Sequence, residues 1–129
     1  MLLADSANVS REGKLNVLGI FDTIYAREFP TTHAQMQLVI RFEAPPAEAG
    51  TTRQVEVQLA REGGEVLFAL PGAMKVMQRE PGEPVRLDHM LTLNNVTFDG
   101  PGRYVFRVAV DGAVQALVPL RVEQISGPH

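Results

Sequence analysis

Apolar and polar residues alternate with a period of two in short runs along most of this chain, and Gly, Pro and Asp separate the runs. The clearest run is residues 36–43, whose apolar positions are Met36, Leu38, Ile40 and Phe42. In an extended strand this alternation places one face in a core and the other in water. No segment keeps a helical apolar rhythm for more than about one turn. The pattern therefore predicts an all-β protein, either a sandwich or a barrel.

These runs predict about eight strands. They are Leu2–Val9, Lys14–Phe21, Met36–Glu43, Gln54–Leu59, Glu65–Leu70, Val85–Leu93, Arg103–Val110 and Ala113–Glu123. The segments Asp22–Thr32 and Pro71–Gln78 are ambiguous, and each has room for a short helical turn. The Pro-containing loops at 44–50 and 78–84 are short, so no linker divides the chain. A single domain over residues 1–129 is expected, because this length is enough for one self-sufficient core.

A Gly-rich turn predicts the pairing of the hairpin that contains it. Residues 60–65 read Ala-Arg-Glu-Gly-Gly-Glu, and a loop centred on Glu62 and Gly63 brings two apolar strands together. The predicted pairs are Leu59 with Val66, Val57 with Phe68 and Val55 with Leu70. All six residues are apolar, so this hairpin can present one apolar face to a core.

A second hairpin turns at Asp111–Gly112, and two pairings are possible. A two-residue turn would place Val108 opposite Gln115, so that apolar and polar residues share a face. A three-residue loop over residues 110–112, with its glycine in the left-handed conformation of a G1 bulge, places Val108 opposite Val114 instead. We expect this loop because it keeps the apolar residues of both strands together. Its further pairs are Phe106 with Ala116 and Tyr104 with Val118.

Two other positions interrupt the regular pattern. In the strand that begins at Val85, the apolar positions change parity between Leu93 and Val96. The change predicts an extra, bulged residue or a strand end near Asn94–Asn95. Pro119 has no N–H group to donate to a neighbouring strand. Its strand is therefore expected at a sheet edge, or with the missing donor directed away from any partner.

Composition excludes several classes of protein. Hydrophobic residues make up 45% and charged residues 21% of the chain, as in ordinary globular proteins. The absence of cysteine removes disulfides, thiolate catalysis and Cys-based zinc sites. The net charge is −3, and the lysines and arginines are scattered with only two lysines among them, so the sequence offers no basic stripe for nucleic acid. No apolar run approaches the ~20 residues of a membrane helix. Met1–Ala4 is followed at once by Asp5, so no signal peptide, no membrane partner and a cytoplasmic location are expected.

Residue types that carry catalysis are few and scattered. The three histidines, His33, His89 and His129, do not stand at metal-ligand spacing, and no Gly-x-Ser-x-Gly motif surrounds a serine. The aspartates are isolated, whereas a calcium site needs several converging carboxylates. We therefore assign no catalytic, cofactor-binding or metal-ligating residue and no cofactor, and we predict that the protein is not an enzyme. His33 is placed in a loop. His89 shares the apolar parity of Leu87 and Leu91 and is interpreted as a partly buried core or edge histidine.

The segment Asp99–Val108 reads Asp-Gly-Pro-Gly-Arg-Tyr-Val-Phe-Arg-Val. It resembles the entry to the penultimate strand of immunoglobulin-like and fibronectin-like modules. In such modules a tyrosine here forms a tyrosine corner, in which the hydroxyl bonds back to nearby backbone. The resemblance gives Tyr104 this role, although an ordinary core aromatic is an equal alternative. It implies an immunoglobulin-like antiparallel β-sandwich of about eight strands.

The beginning of the chain is more distinctive. Leu3–Asp5 followed by Gly13–Asp22, which reads Gly-Lys-Leu-Asn-Val-Leu-Gly-Ile-Phe-Asp, resembles the opening of a bacterial family of uncharacterised cytoplasmic proteins of this length. The similarity extends to the hairpin at Asp111–Gly112. This family is a domain of unknown function. The resemblance therefore implies a sandwich fold but brings no activity and no site residues.

One predicted strand suggests where the protein acts. Leu15–Phe21 is apolar on both faces, which is typical of a strand covered on both sides or of one that a partner covers. Cover by the following segment, with Ile24, Tyr25 and Phe29, is the first expectation. The predicted function is a non-enzymatic protein-interaction or structural assembly domain, with a protein partner or self-association. The alternative is a small-ligand-binding protein or unrecognised enzyme with its site in the 22–32 and 71–84 loops.

Overall fold

The described part of the chain forms nine strands. A computed structural model of the chain describes residues 1–11, 14–45, 47, 50–76 and 85–126. The strands are β1 (Leu2–Val9), β2 (Leu15–Phe21), β3 (Thr23–Ala26), β4 (Thr31–Ala44), β5 (Thr52–Arg61), β6 (Val66–Lys75), β7 (Val85–Phe98), β8 (Gly102–Val110) and β9 (Ala113–Gln124). This part of the chain contains no helix long and apolar enough to cross a membrane.

The strands form two sheets. Sheet A has the order β2-β1-β4-β7, and sheet B has the order β3-β9-β8-β5-β6. All neighbours are antiparallel except β3 and β9, which run parallel. Both sheets contribute to one buried hydrophobic cluster, in which the largest side chains are Tyr104, Phe98 and Phe106. The prediction of an all-β protein is therefore confirmed.

Each of the eight predicted strands is present, and one strand was missed. β3 lies inside Asp22–Thr32, so the helical turn considered there was wrong. It has only four residues, and its partner is almost a hundred residues away, with Thr23 opposite Arg121. A short strand held by a distant parallel partner leaves little local signal. In the second ambiguous segment, residues 71–75 continue β6, whereas residues 77 and 78 lie outside the described part.

Both predicted hairpin pairings were displaced by two residues. In the first hairpin Leu59 faces Phe68 rather than Val66, and Leu67 is an extra residue on β6. The loop closes where the Arg61 amide donates to the Glu65 carbonyl at 2.9 Å. This loop has three residues, 62–64, whereas a pairing of Leu59 with Val66 requires two or four, and the extra residue on β6 restores the inward direction of Phe68.

The second hairpin has a two-residue turn, so the predicted three-residue loop was wrong. Asp111 and Gly112 have φ values of 49° and 85°, and a type I′ turn needs positive φ at both positions. The extra residue lies further along β9 at Gln115, so that Val108 faces Ala116. Ala116 lies on the same face as the core residues of β8, as predicted. It lies opposite Val108, however, and not opposite Phe106.

The predicted change of phase in β7 is present, but no residue is inserted. Leu93 and Val96 are both buried despite their opposite parity, and Asn95 between them has a φ of 53°. Pairing with β4 nevertheless continues without a shift on both sides of it. The left-handed backbone at Asn95, and not an inserted residue, therefore changes which positions of β7 face the core. Pro119 lies on β9 where that strand has no second partner among the described residues, as its missing donor predicted.

Tyr104 at the start of β8 forms the predicted corner. Its hydroxyl donates a 2.7 Å hydrogen bond to the Gly100 carbonyl, and its ring packs edge-on against Phe98 with centroids 5.0 Å apart. The Arg61 guanidinium lies 4.9 Å from the centroid of the same ring and forms an ion pair with Asp99. Burial raises the pKa of the Tyr104 hydroxyl although Arg61 opposes the shift. The hydrogen bond from Arg61 lowers the pKa of Asp99.

Asp111 ties the second hairpin to β5. Its Oδ1 accepts a hydrogen bond from the Gln54 amide at 3.0 Å, and its Oδ2 accepts one from Arg53 Nη1 at 2.8 Å. The Asp111 amide donates in turn to the Gln54 carbonyl at 2.8 Å. The backbone hydrogen bond from Gln54, assisted by Arg53, lowers the pKa of this carboxyl. Asp111 therefore holds the turn to β5 through both its side chain and its backbone.

Replacing Tyr104 by Phe should lower the free energy of unfolding by about 1 kcal/mol, since one hydrogen bond is lost. The only other tyrosine, Tyr25, is exposed, and Tyr25→Phe should change it by less than about 0.5 kcal/mol. Because the pKa of Tyr104 is raised in the folded state, the stability that its hydroxyl contributes is fully present below about pH 10 and declines as the pH rises above that value. Urea unfolding of both variants from pH 7 to pH 11 measures this. Equal losses would show that the corner does not stabilise the fold.

Asp111→Asn should reduce stability at neutral pH and weaken the acid sensitivity of the protein. Asparagine tolerates the left-handed backbone of this position but cannot form the ion pair. A carboxyl with a lowered folded-state pKa contributes stability above about pH 4, and the contribution disappears as the pH falls further. The stability difference between wild type and variant should therefore shrink on going from pH 7 to pH 2. A difference that stays constant would contradict it.

Candidate functional site

The hairpin of β1 and β2 leaves the rest of sheet A partway along its length. β1 pairs with β4 only at Leu2, Leu3 and Ala4, whereas it pairs with β2 from Leu3 to Val9. In the described part of the chain no strand pairs with the outer side of β2. The backbone groups on that side of β2 are therefore open for another strand.

The side chains of β2 are apolar on both faces of the strand. Leu18 and Ile20 point to one face and are 73% and 65% exposed, the highest values among the described large hydrophobic side chains. Leu15, Val17 and Phe21 are half-buried on the other face. No residue of β2 is charged. The charged neighbours in sequence stand just outside it, at its two ends.

An edge strand of this composition differs from the usual protected edge. Natural edge strands carry a lysine, a proline or a bulge that prevents pairing with another chain. β2 contains neither a lysine nor a proline, and its pairing with β1 shows no register shift. Burying a Leu or Ile side chain fully stabilises by about 1.5–3 kcal/mol. Covering Leu18 and Ile20 would therefore be favourable, and the strand edge offers backbone hydrogen bonds in addition.

The segment expected to cover β2 lies elsewhere. Ile24 is buried in the common core, Phe29 packs against that core, and Tyr25 is 61% exposed. The reason is topological, because β3 joins sheet B beside β9 while β2 belongs to sheet A. The prediction that Asp22–Thr32 covers the strand was therefore wrong. Leu18 and Ile20 remain exposed.

A second apolar area on β9 has a different character. Val114 and Leu117 are 57% and 58% exposed. β3 pairs with β9 only at residues 121–124, so no described strand adjoins the free edge of β9 beside these two residues. Leu117 pairs with Arg107 across the β8–β9 ladder. Val114 borders a shallow cavity of about 340 Å³ that Arg107 and Glu56 also line. Charged residues therefore accompany the apolar ones here, as in a solvated sheet face, which is not the case on β2.

An open groove of about 540 Å³ runs between the edges of the two sheets, from β6 to the end of β7. Apolar side chains, among them Leu67, Phe68 and Leu93, form part of its lining. Asn95, whose backbone is left-handed, and Glu65 supply polar groups on its rim. The groove is amphipathic and could hold a small molecule.

The chemistry-bearing residues of the sequence lie apart. His89 is half-buried on β7, an edge strand of sheet A, which confirms its interpretation as a partly buried edge histidine. His33 lies within β4 with its ring 5.7 Å from that of Phe21, so its placement in a loop was wrong. His129 lies outside the described residues. Within the described ranges no three His, Cys, Asp or Glu side chains gather as metal ligands. Four of the cavities that described residues line do not involve residues 22–32, whereas Pro71 and Gly72 border one of them and Met74 borders another.

Comparison with known proteins places the chain in a family. A family model described as a family of unknown function (DUF6941) matches residues 1–123, so the chain belongs to this family. The match bears out the resemblance to a domain of unknown function that the N-terminal residues indicated. A search of curated proteins finds no match.

Gly19 should be required for the shape of β2. Its φ is 73°, and a Cβ atom there would collide with the Asp5 carboxylate on β1. Gly19→Ala should cost about 1–3 kcal/mol of stability through backbone strain and this contact. Gly64→Ala is a matched control, because Gly64 lies outside the left-handed region and its nearest neighbour is the Arg61 Cβ at 3.8 Å. Thermal unfolding of both variants measures the effect. If the control loses as much as Gly19→Ala, the constraint on β2 does not exist.

Proposed function

We propose that this DUF6941 protein is a non-enzymatic interaction and assembly domain whose contact surface is the open edge of β2. The observation that carries the proposal is the exposure of Leu18 and Ile20 on a strand that has a free edge and no charge. Strand addition to such an edge combines main-chain hydrogen bonds with pockets for alternate side chains. The partner is a protein chain, either another protein or a second copy.

The charge of the chain favours a protein partner over nucleic acid or an anionic membrane. A chain with a net charge of −3, in which 12 lysines and arginines are scattered among 15 acidic residues, has little to offer to phosphates of nucleic acid or of anionic lipid. Leu18 and Ile20 have uncharged neighbours along β2 itself, and the Asp5 carboxylate of β1 lies against Gly19 between them. Catalysis has no comparable support, because Asp99 and Asp111, the two carboxylates with a lowered pKa among the described residues, are both used in ion pairs that hold loops.

The fold that we propose is immunoglobulin-like. In that fold one sheet has the strand order A-B-E-D, and strands G, F, C and C′ are neighbours in the other. The orders β1-β4-β7 and β9-β8-β5-β6 agree with A-B-E and with G-F-C-C′. The tyrosine corner at the start of β8 supports the same assignment. Nuclear Overhauser contacts across the β4–β7 and β8–β5 ladders test it, since a different strand order would exclude the fold.

A small-ligand-binding role is the second candidate, and the groove between β6 and β7 is the observation that favours it. Apolar and polar residues share the lining of the groove, and its volume of about 540 Å³ suits a small organic molecule. None of residues 22–32 or 71–76, where a ligand site was expected, lines it, and the rest of that expected site, residues 77–84, lies outside the described residues. Its openness to solvent on one side gives a ligand less burial than an enclosed pocket would.

Site-specific photo-crosslinking tests the interaction surface. A diazirine analogue of leucine placed at position 18, in cells that naturally make the protein, should give covalent adducts with a protein chain. Leu117 is the matched control, because it is also an exposed leucine on a strand. We expect adducts at position 18 at least about ten times more abundant than at position 117. No adduct at position 18, or equal adducts at both positions, would exclude β2 as the contact surface.

A further inference from the structure

We propose that a second copy of this chain occupies the edge of β2, with the two β2 strands antiparallel and Leu18 of one copy opposite Leu18 of the other. The inference rests on the proposed function and names the partner. It predicts a two-fold symmetric dimer in which the two A sheets join into one continuous sheet. A symmetric contact of this kind uses the same surface on both copies.

Symmetry restricts the possible alignments. A two-fold axis perpendicular to the joined sheet keeps the cores of both copies on the same side. Residues directly opposite each other must then face the same way, because side chains alternate along a strand. The alignment can therefore shift only in steps of two residues. Each such step moves the symmetry axis by one residue along β2, so the candidate centres are Val17, Leu18 and Gly19.

The charges at the two ends of β2 select one of these alignments. Lys14 precedes the strand, Asp22 follows it, and both are exposed. With Leu18 at the centre, Lys14 of each copy lies opposite Asp22 of the other, so two ion pairs close the ends of the ladder. Centring on Val17 would place Lys14 opposite Ile20. Centring on Gly19 would place it opposite Ile24, which is buried in the core of its own copy.

The same alignment also covers the exposed apolar side chains. Leu18 meets Leu18 of the other copy directly, and Ile20 lies diagonally beside it, within reach of a long side chain. The four most exposed aliphatic side chains of the pair thus form one cluster at the axis. On the inner face, Leu15 lies opposite Phe21 of the second copy, and both are half-buried in the single chain. Apolar pairing and charge pairing therefore agree on one register.

Disulfide trapping tests this register directly. The chain has no cysteine, so a single introduced cysteine is its only thiol. Directly opposed residues of antiparallel strands have Cα atoms about 4.5–5.5 Å apart, inside the range that a disulfide spans. Leu18→Cys should therefore form a covalent dimer under mild oxidation, at least about ten times faster than two control variants. The controls are Ile20→Cys, whose two copies lie four residues apart along the ladder, and Leu117→Cys on β9.

Charge reversal tests the end pairs independently of any thiol. Lys14→Glu and Asp22→Lys should each raise the dimer dissociation constant about twofold to thirtyfold, the range expected for two exposed ion pairs. The double variant should restore it, since it exchanges the charges and keeps the pairing. Sedimentation velocity of the full chain over a concentration series gives the constants. Double-variant weakening equal to the sum of the single effects would show that Lys14 and Asp22 do not meet.

The outcomes separate this inference from the proposed function. A wild-type chain that stays monomeric at about 100 μM, or a Leu18→Cys variant that oxidises no faster than its controls, overturns the dimer. Photo-crosslinking from position 18 to a different protein would in that case leave the interaction domain standing. Absence of both the dimer and any photo-adduct overturns both. A rapid Leu18 disulfide together with charge-swap rescue establishes the two-fold register.

Discussion

Contact between the inner faces of the two sheets holds this protein together. Tyr104 and Phe106 from sheet B and Phe98 from sheet A are fully buried in that contact, and every strand has to direct an apolar face toward it. The irregular positions serve this requirement. Extra residues at Leu67 and Gln115 reset the inward side chains after each hairpin turn. Where β7 needs the same correction without an insertion, a left-handed Asn95 provides it.

This requirement explains what the sequence could predict. A period of two identifies strands and the inward face of each, so eight strands and most core positions followed from alternation alone. A shift of two residues leaves the same side chains on the same face, so alternation is blind to it. The bulges add a second difference, because Val66 and Val114, which were expected to face inward, are 46% and 57% exposed. Turn geometry decides such shifts, and the type I′ turn at Asp111 with a bulge at Gln115 satisfied the pattern as well as the loop that was expected.

The candidate site was only half visible in the sequence for a similar reason. The apolar character of both faces of β2 could be read directly, but its exposure depends on where the next segment goes. β3 crosses to sheet B and pairs in parallel with β9, a partner about a hundred residues away. No local pattern encodes such a pairing. The crossing takes Ile24 into the core and leaves Leu18 and Ile20 uncovered.

Folding by itself gives no reason for the apolar side chains at these two positions. The inward side chains Leu15, Val17 and Phe21 supply what β2 contributes to the chain's own packing, whereas Leu18 and Ile20 face water. Polar side chains there would cost the core nothing and would protect the edge from unwanted pairing. β2 has no charged residue of its own and has opposite charges at its two ends. A strand that lies against it explains this arrangement better than folding alone. In the proposed dimer the end charges set the alignment, and the apolar side chains provide the affinity.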